Sequence, residues 1–188
     1  MTERTHRVRN ALTSGERTFT LTDDALCWTE VGRPKGRLAY ADIRAIQLIS
    51  YASPIGTALQ CTLRSKAGGK VKLRSAHYRG LGDFEDRTKT YAPLVQALAG
   101  RIDAANPDAT FIAGSTGLWI LWLVVGLIWV GVIAFLSLAL FATSLLGTLA
   151  VALGFGAICL PLIWREVAGG GAKTFDPHAP PGALLGDT

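Results

Sequence analysis

Polar and apolar residues alternate over the first part of the chain, recur at helical spacing further on, and then the charged residues disappear. In residues 57–64, Leu59, Cys61 and Leu63 alternate with polar neighbours; in residues 70–76, Val71 and Leu73 alternate with Lys70, Lys72 and Arg74. A period of two with a single apolar side predicts half-buried antiparallel strands. Lys66-Ala67-Gly68-Gly69 between them reads as a hairpin turn. Shorter strands are expected at 17–21, 25–31, 37–40 and 45–50, separated by Asp23-Asp24, by Gly32-Arg33-Pro34-Lys35-Gly36 and by a bend at Ala41-Asp42-Ile43. The period then lengthens: Tyr91, Val95, Leu98 and Ile102 line one face of a helix that Asp83 could cap, with Glu85 and Asp86 in its first turn and Asn106-Pro107 at its end.

From Ala109 to Trp164 no residue is charged. A bilayer-spanning helix needs roughly 20 apolar residues, so this run predicts two spans, at about 118–138 and 144–164, joined by a very short loop. Trp119, Trp122 and Trp164 would then mark one interface, and Arg101 and Arg165 would flank the hairpin on the same side. Gly147, Ala150, Gly154 and Ala157 form a stripe of small residues on the second span, with Gly126 on the first, suited to packing within the hairpin or between copies. Neither span carries an ionisable group, which argues for an anchor and against a transport path. The organisation expected is a polar arm (1–16), a cytoplasmic domain (17–107), a transmembrane hairpin (108–166) and a Gly/Pro-rich tail (167–188). In that tail Phe175, Leu184 and Leu185 predict docking onto the domain or a partner, since a disordered segment has no need of them.

Charge sharpens the picture. The 188 residues carry a net +5, and the portion before the charge-free run holds 17 Lys and Arg against 11 Asp and Glu, or +6. A basic domain beside a bilayer suits anionic phospholipid headgroups; no fold motif or aromatic-basic interleaving favours nucleic acid. Residues 1–20 contain no apolar stretch of the kind a secretory leader has, so the N-terminal domain is expected in the cytoplasm, and two spans flanked by Arg101 and Arg165 return the chain there, which puts both ends in the cytoplasm. Cys27, Cys61 and Cys159 show no metal or disulfide spacing, and His6, His77 and His178 are scattered. No catalytic constellation, metal site or cofactor site emerges, and a non-enzymatic role follows.

The candidate chemistry is basic. A hairpin turning about Gly68 places Arg64 across from Lys72, with Lys66, Lys70 and Arg74 nearby. Like charges facing each other are unfavourable, so an anionic partner would relieve them; a simply solvated charged face fits the residues as well. The order of strands followed by a helix, with Leu38-Ala39-Tyr40-Ala41-Asp42-Ile43-Arg44-Ala45-Ile46-Gln47-Leu48 and the basic hairpin, resembles the bacterial pleckstrin-homology-like domain. That resemblance implies an α+β fold, an antiparallel sheet or barrel closed by a C-terminal helix. It also puts Arg33, Lys35 and Arg37 where lipid-binding relatives contact phosphate. Tyr91-Ala92-Pro93-Leu94-Val95-Gln96-Ala97-Leu98, Ala105-Asn106-Pro107 and Phe175-Asp176-Pro177 are similar to a family of small proteobacterial inner-membrane proteins with such a domain and two transmembrane helices. The function expected is an integral inner-membrane protein displaying a basic module that binds anionic lipid headgroups or a protein partner. The alternative is a membrane-embedded subunit whose hairpin mediates oligomer or complex assembly.

Overall fold

The structure, a computed structural model, describes residues 4–10, 12, 14–53, 56–141, 154 and 171–186, with the side chains of 52, 118, 134 and 137–141 left out of account. The chain divides into two compact units, Met1–Gly114 with Lys173–Thr188, and Ser115–Ala172.

The first unit is built on strands. β1 (Thr5–Arg9), β2 (Glu16–Leu21), β3 (Ala25–Glu30) and β4 (Gly36–Ala39) form an antiparallel sheet in that order. A single 3-10 turn at Tyr40–Asp42 leads into β5 (Ile43–Ser53), which pairs with β6 (Gly56–Ser65), and β6 pairs with β7 (Lys70–Arg74). β8 (Ala76–Gly80) and β9 (Asp83–Asp86) make a separate hairpin before α1 (Thr88–Ala105). The chain then adds β10 (Thr110–Ala113) parallel to β5, and much later β11 (Lys173–Thr174) antiparallel to β10. The second sheet therefore runs β11-β10-β5-β6-β7.

One apolar core holds this unit together. Tyr91, Leu94, Val95, Leu98 and Ile102 of α1 share it with Phe19, Leu26, Ile46, Leu48, Leu63 and Leu73 from the strands. The helical stripe legible in the sequence is thus the buried side of α1. Its start differs from expectation: residues 83–86 are strand β9, where Phe84 packs edge-on to Tyr78, and Asp86 accepts hydrogen bonds from the Thr88 amide and hydroxyl. The tail packs on the same unit. The Phe175 ring meets Phe111 edge-on at 5.8 Å, and Leu185 is buried. Gly186, at φ 93°, lies so close to Thr88 that a Cβ would sit 2.3 Å from its Cγ2.

Two expectations fall here. The strands form sheets of four, five and two strands rather than a closed barrel, and the helix does not close the domain, because β10 and β11 follow it into the larger sheet. The reason is local. The opening residues of the charge-free run are a strand, with Phe111 buried opposite Ile46, and not the approach to a span.

The second unit contains α2 (Thr116–Phe141), which has no charged residue. Among the described residues, however, no helix is long and apolar enough to cross a membrane. The expected transmembrane hairpin, the integral inner-membrane placement with both ends in the cytoplasm, and the membrane-embedded subunit are all set aside by this finding. Of the expected second span, 144–164, only Gly154 is among the described residues.

Candidate anion-binding face

β6 lies inside the five-stranded sheet, and its side chains alternate between the two faces. Leu59, Cys61 and Leu63 enter the core, where burial pushes the Cys61 thiol up to about 12. Ala58, Gln60, Thr62 and Arg64 point the other way. Opposite them on β7 stand Arg74 (to Gln60), Lys72 (to Thr62) and Lys70 (to Arg64). On β5 stand Tyr51, Ile49, Gln47 and Ala45. Alternate residues of a strand lie about 7 Å apart and neighbouring strands about 5 Å apart, so the four cations occupy a strip about 14 Å long at the β7 edge.

The register differs by two residues from the one expected. Lys70, not Lys72, faces Arg64, because the turn centres on Ala67 and Gly68 supplies its left-handed position at φ 87°. The Ser65 amide donates to the Gly69 carbonyl and closes it. Arg64 and Lys70 are therefore the directly opposed like charges, at a cost of a few tenths to about 1 kcal/mol.

A hydrogen-bonded network lines the face. Arg74 Nε donates to Gln60 Oε1 at 3.0 Å, and Gln60 Nε2 donates to Thr62 Oγ1 at 3.2 Å. Arg64 Nη2 donates to Gln47 Oε1 at 3.1 Å, and Gln47 Nε2 donates to the Gly114 carbonyl at 2.9 Å. Gln60 and Thr62 are only 7% and 6% exposed, so this pairing is what makes their burial tolerable. Burial raises the Tyr51 phenol above its usual range, with the Arg74 charge opposing. Lys66, Lys70 and Lys72 are exposed, and among the described residues none has an acidic partner within ion-pair distance.

The other sequence candidates lie elsewhere. Arg33 and Lys35 belong to the loop between β3 and β4, and Arg37 to β4. Arg33 sits 3.5 Å from Glu30, and Arg37 pairs with Asp24, so both already have an acid. Glu30 is held ionised below the ordinary carboxylate range, chiefly by its hydrogen bond from Arg17 at 2.8 Å. Gly126, Trp119 and Trp122 are residues of α2. Gly154 is exposed, and Gly147, Ala150, Ala157, Trp164 and Cys159 lie outside the described residues.

Sequence reasoning passed over two histidines that the fold places at either end of β1. His6 is 1% exposed, with Nδ1 2.9 Å from Thr90 Oγ1 and Nε2 2.9 Å from the Arg74 carbonyl. His77 accepts the Arg9 amide on Nδ1 at 3.0 Å. The signal was present: His6 and Val8 share the inward side of an alternating Thr5-His6-Arg7-Val8-Arg9. Comparison of the chain with protein-family models, with curated proteins and with solved structures finds no match in any of the three.

Proposed function

We propose that the β-rich unit is a non-catalytic binding module that takes an anionic partner on the face formed by Arg64, Lys66, Lys70, Lys72 and Arg74. One observation carries this reading. The two arginines are fixed by hydrogen bonds to Gln47 and Gln60, while the three lysines beside them are exposed and lack an acid among the described residues. Fixed guanidinium groups give an oxyanion defined donors, and mobile ammonium groups adapt to its outline. The polar side chains of the network satisfy one another and the main chain, which suits them to holding cations in place rather than to moving protons. The partner this geometry fits carries several phosphate, sulfate or carboxylate groups spaced about 7 Å apart, the repeat of alternate residues on β7.

The test is titration of the full-length chain with sucrose octasulfate, whose charge is constant across the neutral and mildly acidic range. Reversing Lys70 and Lys72 together (Lys70→Glu, Lys72→Glu) is expected to weaken binding at least tenfold, while Arg33→Glu changes it little. Absence of binding, or equal loss in both variants, overturns the reading.

A further inference from the structure

β1 is the edge strand of its sheet, yet its outer backbone is not left open. Arg87 Nη1 donates to the Arg7 carbonyl at 2.7 Å, His77 Nδ1 accepts the Arg9 amide, and Arg74 Nη1 donates to the Asn10 carbonyl at 3.1 Å. β8 lies alongside β1, and Arg74, the last residue of β7, places its carbonyl 2.9 Å from His6 Nε2. Side chains, not a strand ladder, seal this seam. We infer that His6 and His77 form an acid-labile latch on β1, and that releasing the latch strengthens anion binding on the adjoining face through Arg74; the second part rests on the anion-binding reading above.

The chemistry of each ring supports it. His77 can accept the Arg9 amide only while Nδ1 has no proton; protonation sets one N–H against another. His6 sits between the Arg74 carbonyl and Thr90 Oγ1, a hydroxyl that also reaches the Arg87 carbonyl at 3.1 Å. The Tyr91 ring lies edge-on to it at 5.9 Å. An imidazolium there would keep its hydrogen bonds, but it would be a nearly buried charge close to the Arg87 guanidinium and to His77. The charges facing His77 are Arg87 and, on its own strand, Arg79, with Glu16 from β2 and Glu85 from β9 opposing them; the Arg9 guanidinium lies instead over the Tyr78 ring. Burial is the largest influence on both rings and holds them below the ordinary histidine value, with the Arg87 charge adding to it. Acid therefore loosens β1 on the mildly acidic side of pH 6.5.

Arg74 connects this strand to the anion face. It is the residue whose carbonyl meets His6, whose Nη1 holds Asn10, and whose Nε holds Gln60 on the cationic strip. When β1 lifts, the donor spent on Asn10 becomes free for an oxyanion.

The decisive measurement is amide hydrogen exchange of the full-length chain between pH 7.5 and 5, corrected for intrinsic rates. The Arg9 amide is expected to lose at least tenfold protection while the amides shared by β5 and β6 stay protected. In His77→Asn, whose Oδ1 takes the place of Nδ1 as an acceptor that does not titrate, the acid-induced loss of Arg9 protection is expected to be clearly smaller than in the wild type, with His6 alone left to release the strand. Affinity for sucrose octasulfate is expected to rise with acid in the wild type and by less in this variant. Constant Arg9 protection in the wild type, loss in step with β5 and β6, or identical loss in His77→Asn overturns the latch. Binding that ignores pH overturns the link through Arg74 alone, whereas absence of binding at every pH overturns the anion-binding reading and leaves the exchange result to decide the latch.

Discussion

The two faces of the five-stranded sheet are both well covered along β6, but by different means. On one face Leu59, Cys61 and Leu63 disappear beneath an apolar layer that includes α1. On the other, Gln60 and Thr62 are almost as hidden, yet what secures them is a set of side-chain hydrogen bonds reaching Arg74. Apolar burial is non-directional and scales with area, whereas a polar network depends on every member being present. The first face should fail gradually as volume is removed. The second should fail at single atoms, and it leaves cations at its margin free to act.

The largest effect expected is on the apolar face. Leu63→Ala should cost about 2–5 kcal/mol in denaturant unfolding, because a fully buried side chain leaves a cavity. Next, Gln60→Ala strands the Arg74 Nε donor and removes a partner of Thr62, for about 1–3 kcal/mol by the same assay. If the two substitutions cost the same, or if Gln60→Leu restores the stability that Gln60→Ala loses, the distinction between the faces breaks down. A third effect concerns pH. His6 is held below its unfolded value of about 6.5, so the unfolded chain binds the proton more readily. Its stability contribution is complete above that value and is lost as pH falls through the folded one. Denaturation midpoints at pH 8, 6 and 5 should decline in that order, and a flat profile would contradict the placement of His6. The smallest effect is at the margin: Lys70→Ala and Lys72→Ala should each shift stability by less than about 0.5 kcal/mol while weakening anion binding measurably. That contrast between stability and binding separates a functional strip from a structural one.

These contrasts also explain what could be read from the chain alone. The apolar face of β6 and β7 and the buried side of α1 are local periodicities, and Leu59, Cys61, Leu63, Leu73, Tyr91, Val95, Leu98 and Ile102 announce them. The polar face was legible only as a row of charges. That Gln60 and Thr62 are buried depends on Arg74 and Gln47, which lie on other strands, and no local pattern encodes this. The register is not legible locally, because Gly68 occupies the left-handed position beside the centre of the turn and not the centre itself. β1 was hidden inside a polar arm, since His6 is buried only by partners about 70 to 85 residues away in the chain. Hydropathy misled most at the charge-free run. A missing charge is compatible with more than one environment: residues 110–113 pair with β5, and Phe111 among them is buried in the core of the first unit.

One consequence of the β10–β11 pairing concerns the modularity of the chain. Ala113 and Lys173 are register partners, so the polypeptide leaves the first unit and re-enters it at neighbouring positions. The 58 residues of Ser115–Ala172 are in effect an interlude between two halves of a strand pair that a short turn could join. Gly114 linked to Lys173 through Asn-Gly should yield a chain of just over 130 residues that keeps both sheets and α1, and its unfolding should remain a single cooperative step. The position is accordingly a natural graft point: a segment whose ends lie about 5 Å apart could be exchanged there without rewriting the β-rich unit that receives it.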